Sequence, residues 1–467
     1  MKRIFGVLTT HFRALAILIA LQAGPVAAAP AEAPDPTTTD FSASNLQLEL
    51  PLFDARVNGS VGAWPGMQQS LMITKGTYYL VHAGVLEIIE PSGQRRSPVR
   101  KATLKQIGLL LLADVVLTSL PPGDAWMHEE WHRAVMSRRD IDSYNGVYDF
   151  EIFAEAIPVR KVRDEDLVRL KRDHPAEMVR LSSAGFEAQL SLNLEFDKDR
   201  FYRGTQAGAV VTQWWETVNL VGYMLTAAYD SDDVTEEVSR EEGVDVADRD
   251  FTGLDPVGWV YDLHRPDEPY EARGVHPSGV GVDRYRSESD LTPEELSYLR
   301  TQAWLSLLNF ADPTLFGLYG LHLGPRGGRH VRFNASAQHL LAPFGYSIRL
   351  NLFLSAGHVD WFSQLHCHVS DSLVLPELTL DLVRYPLPVL GASVSPGARL
   401  WIQPEEQRFF VKSGAWGGAA RLRLNIPLRP WVEVYLEGSV KTDGWIAGDV
   451  FLGESSNASI GMEALMF

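Results

Sequence analysis

Alternation of apolar and polar residues dominates the last third of the chain, after Pro325-Arg326-Gly327-Gly328. Successive side chains of a β-strand point to opposite faces, so each alternating segment predicts a strand with one apolar and one polar face. Gly and Pro between the segments predict short turns, which favour antiparallel neighbours. We predict roughly eight or nine strands in an antiparallel meander over residues 326–467. The segments are 331–338, 348–352, 378–382, 398–403, 421–426, 432–437, 444–452 and 458–467, and residues 45–50 can add one more.

The polar faces of these strands carry Arg, Asn, Asp and Gln. In an exported chain this pattern is typical of an outer-membrane barrel, with lipid outside and water inside. The terminal residue, Phe467, resembles the aromatic last residue of bacterial outer-membrane β-barrel proteins. The apolar row near the end lies on the other register and consists of Ile460, Met462, Ala464 and Met466. The alternative is a soluble antiparallel sheet that packs one face on the helices.

The N-terminus has the parts of a secretory signal peptide. A basic start is followed by a short apolar core, Ala14 to Leu21, and by the small-residue cleavage site Ala27-Ala28-Ala29-Pro30. We predict a signal peptide over residues 1–29 and a linker over residues 30–44. The single cysteine, Cys367, excludes an intramolecular disulfide. These features predict an exported protein of the outer membrane or periplasm of a Gram-negative bacterium.

The charge of the chain limits its partners. A net charge of -17 argues against nucleic acid, or an anionic membrane surface, as a partner recruited by charge. Much of the acidity lies in residues 230–250, which we predict to be a solvated acidic loop. The remainder of residues 45–325 is predicted to be mainly helical. Its most apolar segments, 107–120, 207–228 and 303–321, favour buried helices, or helices that lie against a membrane, over transmembrane spans.

One segment of the helical region, His128-Glu129-Glu130-Trp131-His132, has the pattern H-E-x-x-H. Two histidines four residues apart lie on one face of a helix, so both imidazoles can bind one Zn²⁺ ion. Glu129 then lies beside the metal, where a carboxylate serves as general base for hydrolysis. Asp124 is placed to cap a helix that begins at Ala125. The alternative is an ordinary amphipathic helix whose histidines are solvated or paired with Glu129 and Glu130.

Together with Ser183-Ala184-Gly185-Phe186-Glu187-Ala188-Gln189, this segment resembles the gluzincin branch of zinc metallopeptidases. The resemblance covers about sixty residues and implies that Glu187, on a later helix, is the third zinc ligand. Ala184 and Gly185 would let that helix pack close to the first. Residues 190–196, however, alternate as a half-buried strand would. The other candidate third ligands are Asp124, Asp149, Glu151, Glu155 and His174.

We therefore expect an α+β protein in which a helical, zincin-like region precedes the antiparallel meander. A small membrane β-barrel is one form that this meander can take. The expected function is that of a zinc-dependent metallopeptidase that cleaves a peptide or protein substrate. Zn²⁺ is expected to be held by His128, His132 and Glu187, and Glu129 is expected to be the general base.

Several assignments stay open. Tyr144, Tyr148 and His174 are candidate donors to the oxyanion. The alternative functions are an outer-membrane channel or assembly protein without catalysis, and a scaffold that binds zinc without turnover. His366 and His368 share one face of a predicted strand and could bind a metal, although such a pair is more often incidental.

Overall fold

The structure is a computed structural model that describes residues 46–56, 64–89, 104–150, 157–204, 208–241, 244–326, 329–388 and 391–466. The predicted signal peptide, the predicted linker and Phe467 lie outside these residues. The α-helices are α1 (Met67–Ile89), α2 (Leu104–Thr118), α3 (Asp124–Ser137), α4 (Asp164–Asp173), α5 (Pro175–Arg203), α6 (Ala209–Tyr229), α7 (Ser231–Glu241), α8 (Asp255–His264) and α9 (Pro293–Leu305). The strands are β1 (Leu46–Arg56), β2 (Tyr144–Asn145), β3 (Val159–Arg160), β4 (Leu321–Arg326), β5 (Arg329–Ala342), β6 (Gly345–Ala356), β7 (Val359–Val369), β8 (Val374–Val383), β9 (Tyr385–Pro386), β10 (Ser393–Pro404), β11 (Gly414–Arg429), β12 (Val432–Lys441) and β13 (Ser455–Met466).

The fold is α+β, as predicted, with helices followed by a large antiparallel sheet. The strand order of the sheet is β1-β13-β12-β11-β10-β8-β7-β6-β5-β4, with β9 beside β10. The alternating segment predicted over residues 45–50 joins this sheet, because β1 pairs with β13. Within the described residues β1 and β4 are the two ends of the order and no pairing joins them, so the sheet is open there. The short strands β2 and β3 form a separate pair.

The sheet has a polar face that is buried and an apolar face that is exposed. On β6, Arg349 and Asn351 are buried, whereas Leu350 between them is exposed. On β7, Gln364 and His366 are buried on either side of the exposed Leu365. The same arrangement continues over β8 to β13. Exposed apolar side chains of those strands include Leu378, Leu380, Leu400, Leu422, Leu436, Val440, Ile460 and Met462.

Helix α5 lies between the polar face of the sheet and the other helices. Gln338 of β5 donates to the backbone carbonyl of Leu190 on α5 (3.0 Å), which holds the helix against the sheet. Apolar side chains of α5 pack in two hydrophobic cores. One core is shared with α1 and α3, and the other with α6, α8 and α9. Residues 190–196 are helical rather than strand-like, because α5 is buried on all sides and the polar residues of the alternation find partners. Asn193, for example, donates to Thr217 on α6 (3.2 Å).

Two other predicted segments can be compared with the structure. The segment predicted as an acidic loop contains helix α7, which begins with acidic residues and carries Arg240 in its last turn. Acidic residues at the start of a helix and a basic residue at its end are stabilised by the helix dipole. This part of the segment is therefore helical rather than a loop. The apolar segments 107–120 and 207–228 lie largely within α2 and α6. No helix in the described part of the chain combines the length and the apolar character needed to cross a membrane.

Candidate metal centre

Helix α3 presents His128 and His132 on one face, with ring centroids 4.9 Å apart. The Oδ2 atom of Asp255, at the start of α8, lies 2.9 Å from His128 Nε2 and 3.3 Å from His132 Nε2. These three residues offer one ligand atom each, and the three atoms lie within 4.8 Å of one another. Two imidazoles and one carboxylate around an open position form the ligand set of hydrolytic zinc sites. The structure therefore brings together, around the H-E-x-x-H segment, three side chains that could hold a metal ion.

The orientation of His132 favours a cation at this point. Its Nδ1–H donates to the backbone carbonyl of Leu181 on α5 (2.5 Å), which leaves the lone pair on Nε2. Ligand histidines in metal sites are commonly held by such a hydrogen bond from the second nitrogen. The Nε2 atom is buried, makes no hydrogen bond and faces the Asp255 carboxylate. Either a proton or a metal cation between the two atoms satisfies them: burial lowers the pKa of His132 but Asp255 raises it more, and the two imidazoles and the carboxylate also fit Zn²⁺.

Asp255 is held in place by a hydrogen bond from its backbone N–H and by its position in the first turn of α8. It is buried, and Pro256 follows it in the first turn, where proline suits a helix. Its backbone N–H donates to the hydroxyl oxygen of Tyr223 on α6 (3.0 Å). Burial raises the pKa of Asp255, but His132 and His128 lower it more, to about 2. The carboxylate is therefore ionised, as a metal ligand must be.

Gly185 of α5 allows the close approach of the two helices that the sequence suggested. A Cβ atom at this position would lie 2.1 Å from His128 Nε2, well inside van der Waals contact. The ring of Phe186 lies next to it, with its centroid 6.1 Å from that of His128. Helix α5 thus forms one wall of the metal centre without supplying a ligand.

Glu129 is half-buried beside the group. Burial, and then the carboxylates of Asp255 and Asp250, raise its pKa well above the usual value for glutamate. A carboxyl group with a raised pKa can hold a proton at neutral pH and release it to a base or a leaving group. A cation at the neighbouring site would oppose this shift.

The structure does not bring Glu187 to the two histidines. Its Oε1 atom accepts from Arg180 (3.0 Å) and from the backbone N–H of Gly448 (2.6 Å), and its Oε2 accepts from Trp445 Nε1 (3.2 Å). Two positions along a helix correspond to a rotation of about 200°. Because Gly185 faces His128, Glu187 points to the opposite side of α5, toward the sheet. Asp255 takes the place that the sequence assigned to Glu187.

The other predicted ligands also lie elsewhere. Asp124 accepts from the hydroxyl of Tyr78 (2.7 Å), and α3 begins at Asp124, so this residue anchors the helix to α1 and does not cap a helix that starts at Ala125. Asp149 pairs with Arg160 (2.8 Å). His174 lies between α4 and α5. Glu151 and Glu155 lie outside the described residues.

The structure also favours a different candidate donor to the oxyanion from those that the sequence suggested. Tyr144 donates to Asp149 (2.9 Å), which engages its hydroxyl hydrogen, and the Tyr148 oxygen accepts from Trp126 (2.9 Å). Tyr223, which the sequence did not single out, lies beside Asp255 and His128. The sequence signal available for the Asp255 part of the site was Asp255-Pro256, which stands directly before an apolar helical segment.

Comparisons with known proteins did not identify a relative: no protein-family model, no curated protein and no solved structure matches the chain. The site is therefore interpreted from its own geometry and chemistry.

Proposed function

We propose that the protein is a zinc-dependent hydrolase of the metallopeptidase type, with zinc held by His128, His132 and Asp255. The observation that carries the proposal is the meeting of these three side chains at the H-E-x-x-H helix. When bound, zinc supplies Lewis acidity toward a substrate carbonyl and a water molecule. Peptides are the proposed substrates because H-E-x-x-H helices serve this chemistry in the peptidases that the sequence resembles.

Glu129 is the proposed proton carrier. It is next to a proposed ligand in the sequence, and burial and the charge of Asp255 raise its pKa. In hydrolysis Glu129 takes a proton from the attacking water and delivers it to the leaving amine.

Tyr223 is the proposed donor to the oxyanion. Its oxygen accepts from the backbone N–H of Asp255, which leaves the hydroxyl hydrogen available for a substrate. Burial, followed by the charge of Asp255, raises the pKa of Tyr223 well above its usual value, so the hydroxyl stays protonated. Its ring stacks on Phe186, with centroids 5.3 Å apart, and this contact fixes its direction.

We further propose that the apolar face of the sheet contacts lipid in the outer membrane of a Gram-negative bacterium. A leucine row, defined as Leu350, Leu365, Leu378 and Leu400, crosses four neighbouring strands. The exposed fractions of these side chains are 38%, 44%, 39% and 61%. A continuous apolar face of this kind is costly in water, but it suits contact with hydrocarbon. The signal-peptide pattern at the N-terminus agrees with export.

The substitution Glu129→Gln tests the catalytic proposal. Zinc content of the purified chain should be unchanged, whereas hydrolysis of a mixed peptide library, followed by mass spectrometry, should fall at least a hundredfold. Glu130→Gln is the matched control, because Glu130 lies on the same helix but pairs with Arg133 and accepts from Asn145. Wild-type cleavage by the Glu129→Gln chain would refute the mechanism.

A further inference from the structure

A second group of possible metal ligands lies on the buried face of the sheet. His366 and His368 are two residues apart on β7, so both point to that face, and Glu377 of β8 is paired with His366 in the strand register. His368 Nε2 lies 3.0 Å from Glu377 Oε2, and His366 Nε2 lies 3.5 Å from Glu377 Oε1. All three residues are at least nine-tenths buried. The group lies on different elements from the H-E-x-x-H helix.

Hydrogen bonding leaves several atoms of this group unsatisfied. The Nδ1 atom of His366 is 3.1 Å from the Ser347 hydroxyl, which holds the ring. His366 Nε2, His368 Nδ1 and Glu377 Oε1 are buried and make no hydrogen bond. When Nδ1–H of His366 donates to Ser347, the lone pair on Nε2 points toward Glu377. Buried polar atoms without partners are rare in native proteins, and an ion that is bound there would satisfy two of them.

The surroundings of Glu377 resemble the outer ligand sphere of a metal site. Arg399 Nη1 lies 3.3 Å from Oε1, and Gln403 Nε2 lies 3.4 Å from Oε2. Gln403 is itself fixed, because its amide both donates to and accepts from the backbone of Trp445 (2.8 Å each). Neighbours of this kind usually hold a ligand carboxylate in one orientation. Trp445 also donates to Glu187, so this network links the sheet to α5.

We propose that His366, His368 and Glu377 bind a divalent first-row transition-metal ion. Two atoms that bind one tetrahedral zinc ion at about 2.0–2.1 Å are separated by about 3.3–3.4 Å, and the observed 3.0 and 3.5 Å bracket this value. Two imidazoles and a carboxylate suit Zn²⁺, Co²⁺ and Fe²⁺ better than Ca²⁺ or Mg²⁺. The ion would join β7 to β8 at the buried face of the sheet.

A cavity of the protein extends close to this group of side chains. A cavity of about 600 Å³ lies between the helices and the polar face of the sheet. Its lining includes Gln364, Thr379 and Arg399, which lie on the same strands and on β10 next to the proposed ligands. The lining of the cavity thus comes within two residues of His366 on β7 and of Glu377 on β8.

Metal counting on the purified full-length chain in detergent tests this proposal. Each sample is stripped with a chelator, loaded with Zn²⁺, dialysed, and analysed for zinc per chain. We expect two zinc ions in the wild type, one in His128→Ala, one in His366→Ala and none in the double variant. His339→Gln is the matched control, because His339 is a buried sheet histidine that pairs with Gln302 and belongs to neither group; it should keep both ions.

The outcomes separate the two sites. Equal zinc content in the wild type and His366→Ala would overturn the second site and leave the H-E-x-x-H site intact, whereas equal content in the wild type and His128→Ala would do the reverse. If His366→Ala does not fold, Glu377→Gln replaces it, because glutamine keeps the size of the side chain. This variant should bind one zinc ion fewer than the wild type. Co²⁺ added to His128→Ala should give the visible absorption of protein-bound cobalt. A colourless His128→Ala chain at saturating Co²⁺ would refute the second site.

Discussion

The Oδ2 atom of Asp255 lies 2.9 Å from the Nε2 atom of His128, although 127 positions separate the two residues in the chain. The contact joins the start of α8 to the middle of α3, and α5 packs against both helices. The candidate metal centre is therefore a product of tertiary packing, and His128, His132 and Asp255 come together only when α3, α5 and α8 are in place.

Removal of the Asp255 charge should weaken the first site. Asp255→Asn keeps the shape of the side chain but cannot supply an anionic ligand, so zinc affinity should fall at least tenfold and peptide hydrolysis should fall with it. Competition with a chromophoric chelator measures the affinity. Asp267→Asn, at an exposed position paired only at the surface with Arg408, should behave as the wild type. Unchanged zinc affinity in Asp255→Asn would remove Asp255 from the ligand set.

Gly185→Ala should disturb the same site from the side of α5. The new methyl group would overlap His128 Nε2, so we expect a loss of about 1–3 kcal/mol in the free energy of unfolding and weaker zinc binding. Gly84→Ala is the control: Gly84 is within α1, and a Cβ atom there would contact nothing within 4 Å. That change should stabilise the protein by about 0.5–1 kcal/mol. Denaturant titration in detergent compares the two, and equal effects would contradict this packing.

Tyr223→Phe should separate catalysis from binding. Loss of the hydroxyl should lower kcat by roughly tenfold to a thousandfold with little change in KM, because the donor acts mainly on the oxyanion. Zinc per chain should remain that of the wild type. Tyr144→Phe, which removes a hydroxyl bound to Asp149, should leave kcat unchanged. A drop in zinc content in Tyr223→Phe would instead indicate that the hydroxyl mainly supports Asp255.

Charged substitutions in the leucine row test contact with lipid. Leu365→Arg should cost about 2–4 kcal/mol if the side chain faces the middle of a bilayer, but only about 0.5 kcal/mol if it faces water. Unfolding of the protein reconstituted in vesicles measures the cost. Val374→Arg on β8 supplies a comparison at an exposed position near the end of a strand, where a lower cost is expected. A full chain that stays monodisperse without detergent would argue against lipid contact.

The burial of His339 should make the protein less stable to unfolding in acid. Burial lowers its pKa to about 3, and its Nε2–H donates to Gln302 (2.9 Å). Because an unfolded histidine has a pKa of about 6.5, only the unfolded chain binds this proton between pH 6.5 and 3, so protonation favours unfolding as the pH falls. The contribution is at most about 1.4 kcal/mol per pH unit. His339→Gln should show a flatter decline over this range in pH-dependent denaturation, and parallel curves would contradict this assignment.

Local patterns were sufficient for part of this architecture. Period-two alternation predicted the strands of the sheet, and the four-residue spacing of His128 and His132 predicted their common face. Both depend on backbone geometry within one element. The small residue Gly185 also indicated a close helix contact, because the lack of a side chain limits what can lie next to it.

The remaining features depend on long-range packing. Spacing along the chain does not determine which carboxylate meets two histidines, and Asp255 lies 127 positions from His128 in the chain. Glu187 had a suitable residue type, but the rotation of α5 directs it to Trp445 and Gly448. Residues 190–196 alternate like a strand because polar side chains inside the protein also find partners. A period alone cannot distinguish this case from a half-exposed sheet.

The pairing of β1 with β13 sets the order in which the molecule can mature. Among the described strands β1 is the first to be synthesised, but its hydrogen-bonded neighbour, β13, is the last. Every helix that forms the first metal centre is made before the sheet can be completed. During biogenesis the emerging chain must therefore keep β1 from aggregating until the C-terminal strand arrives, and a nascent chain that lacks that strand would expose an unpaired edge to the proteases and chaperones of its compartment.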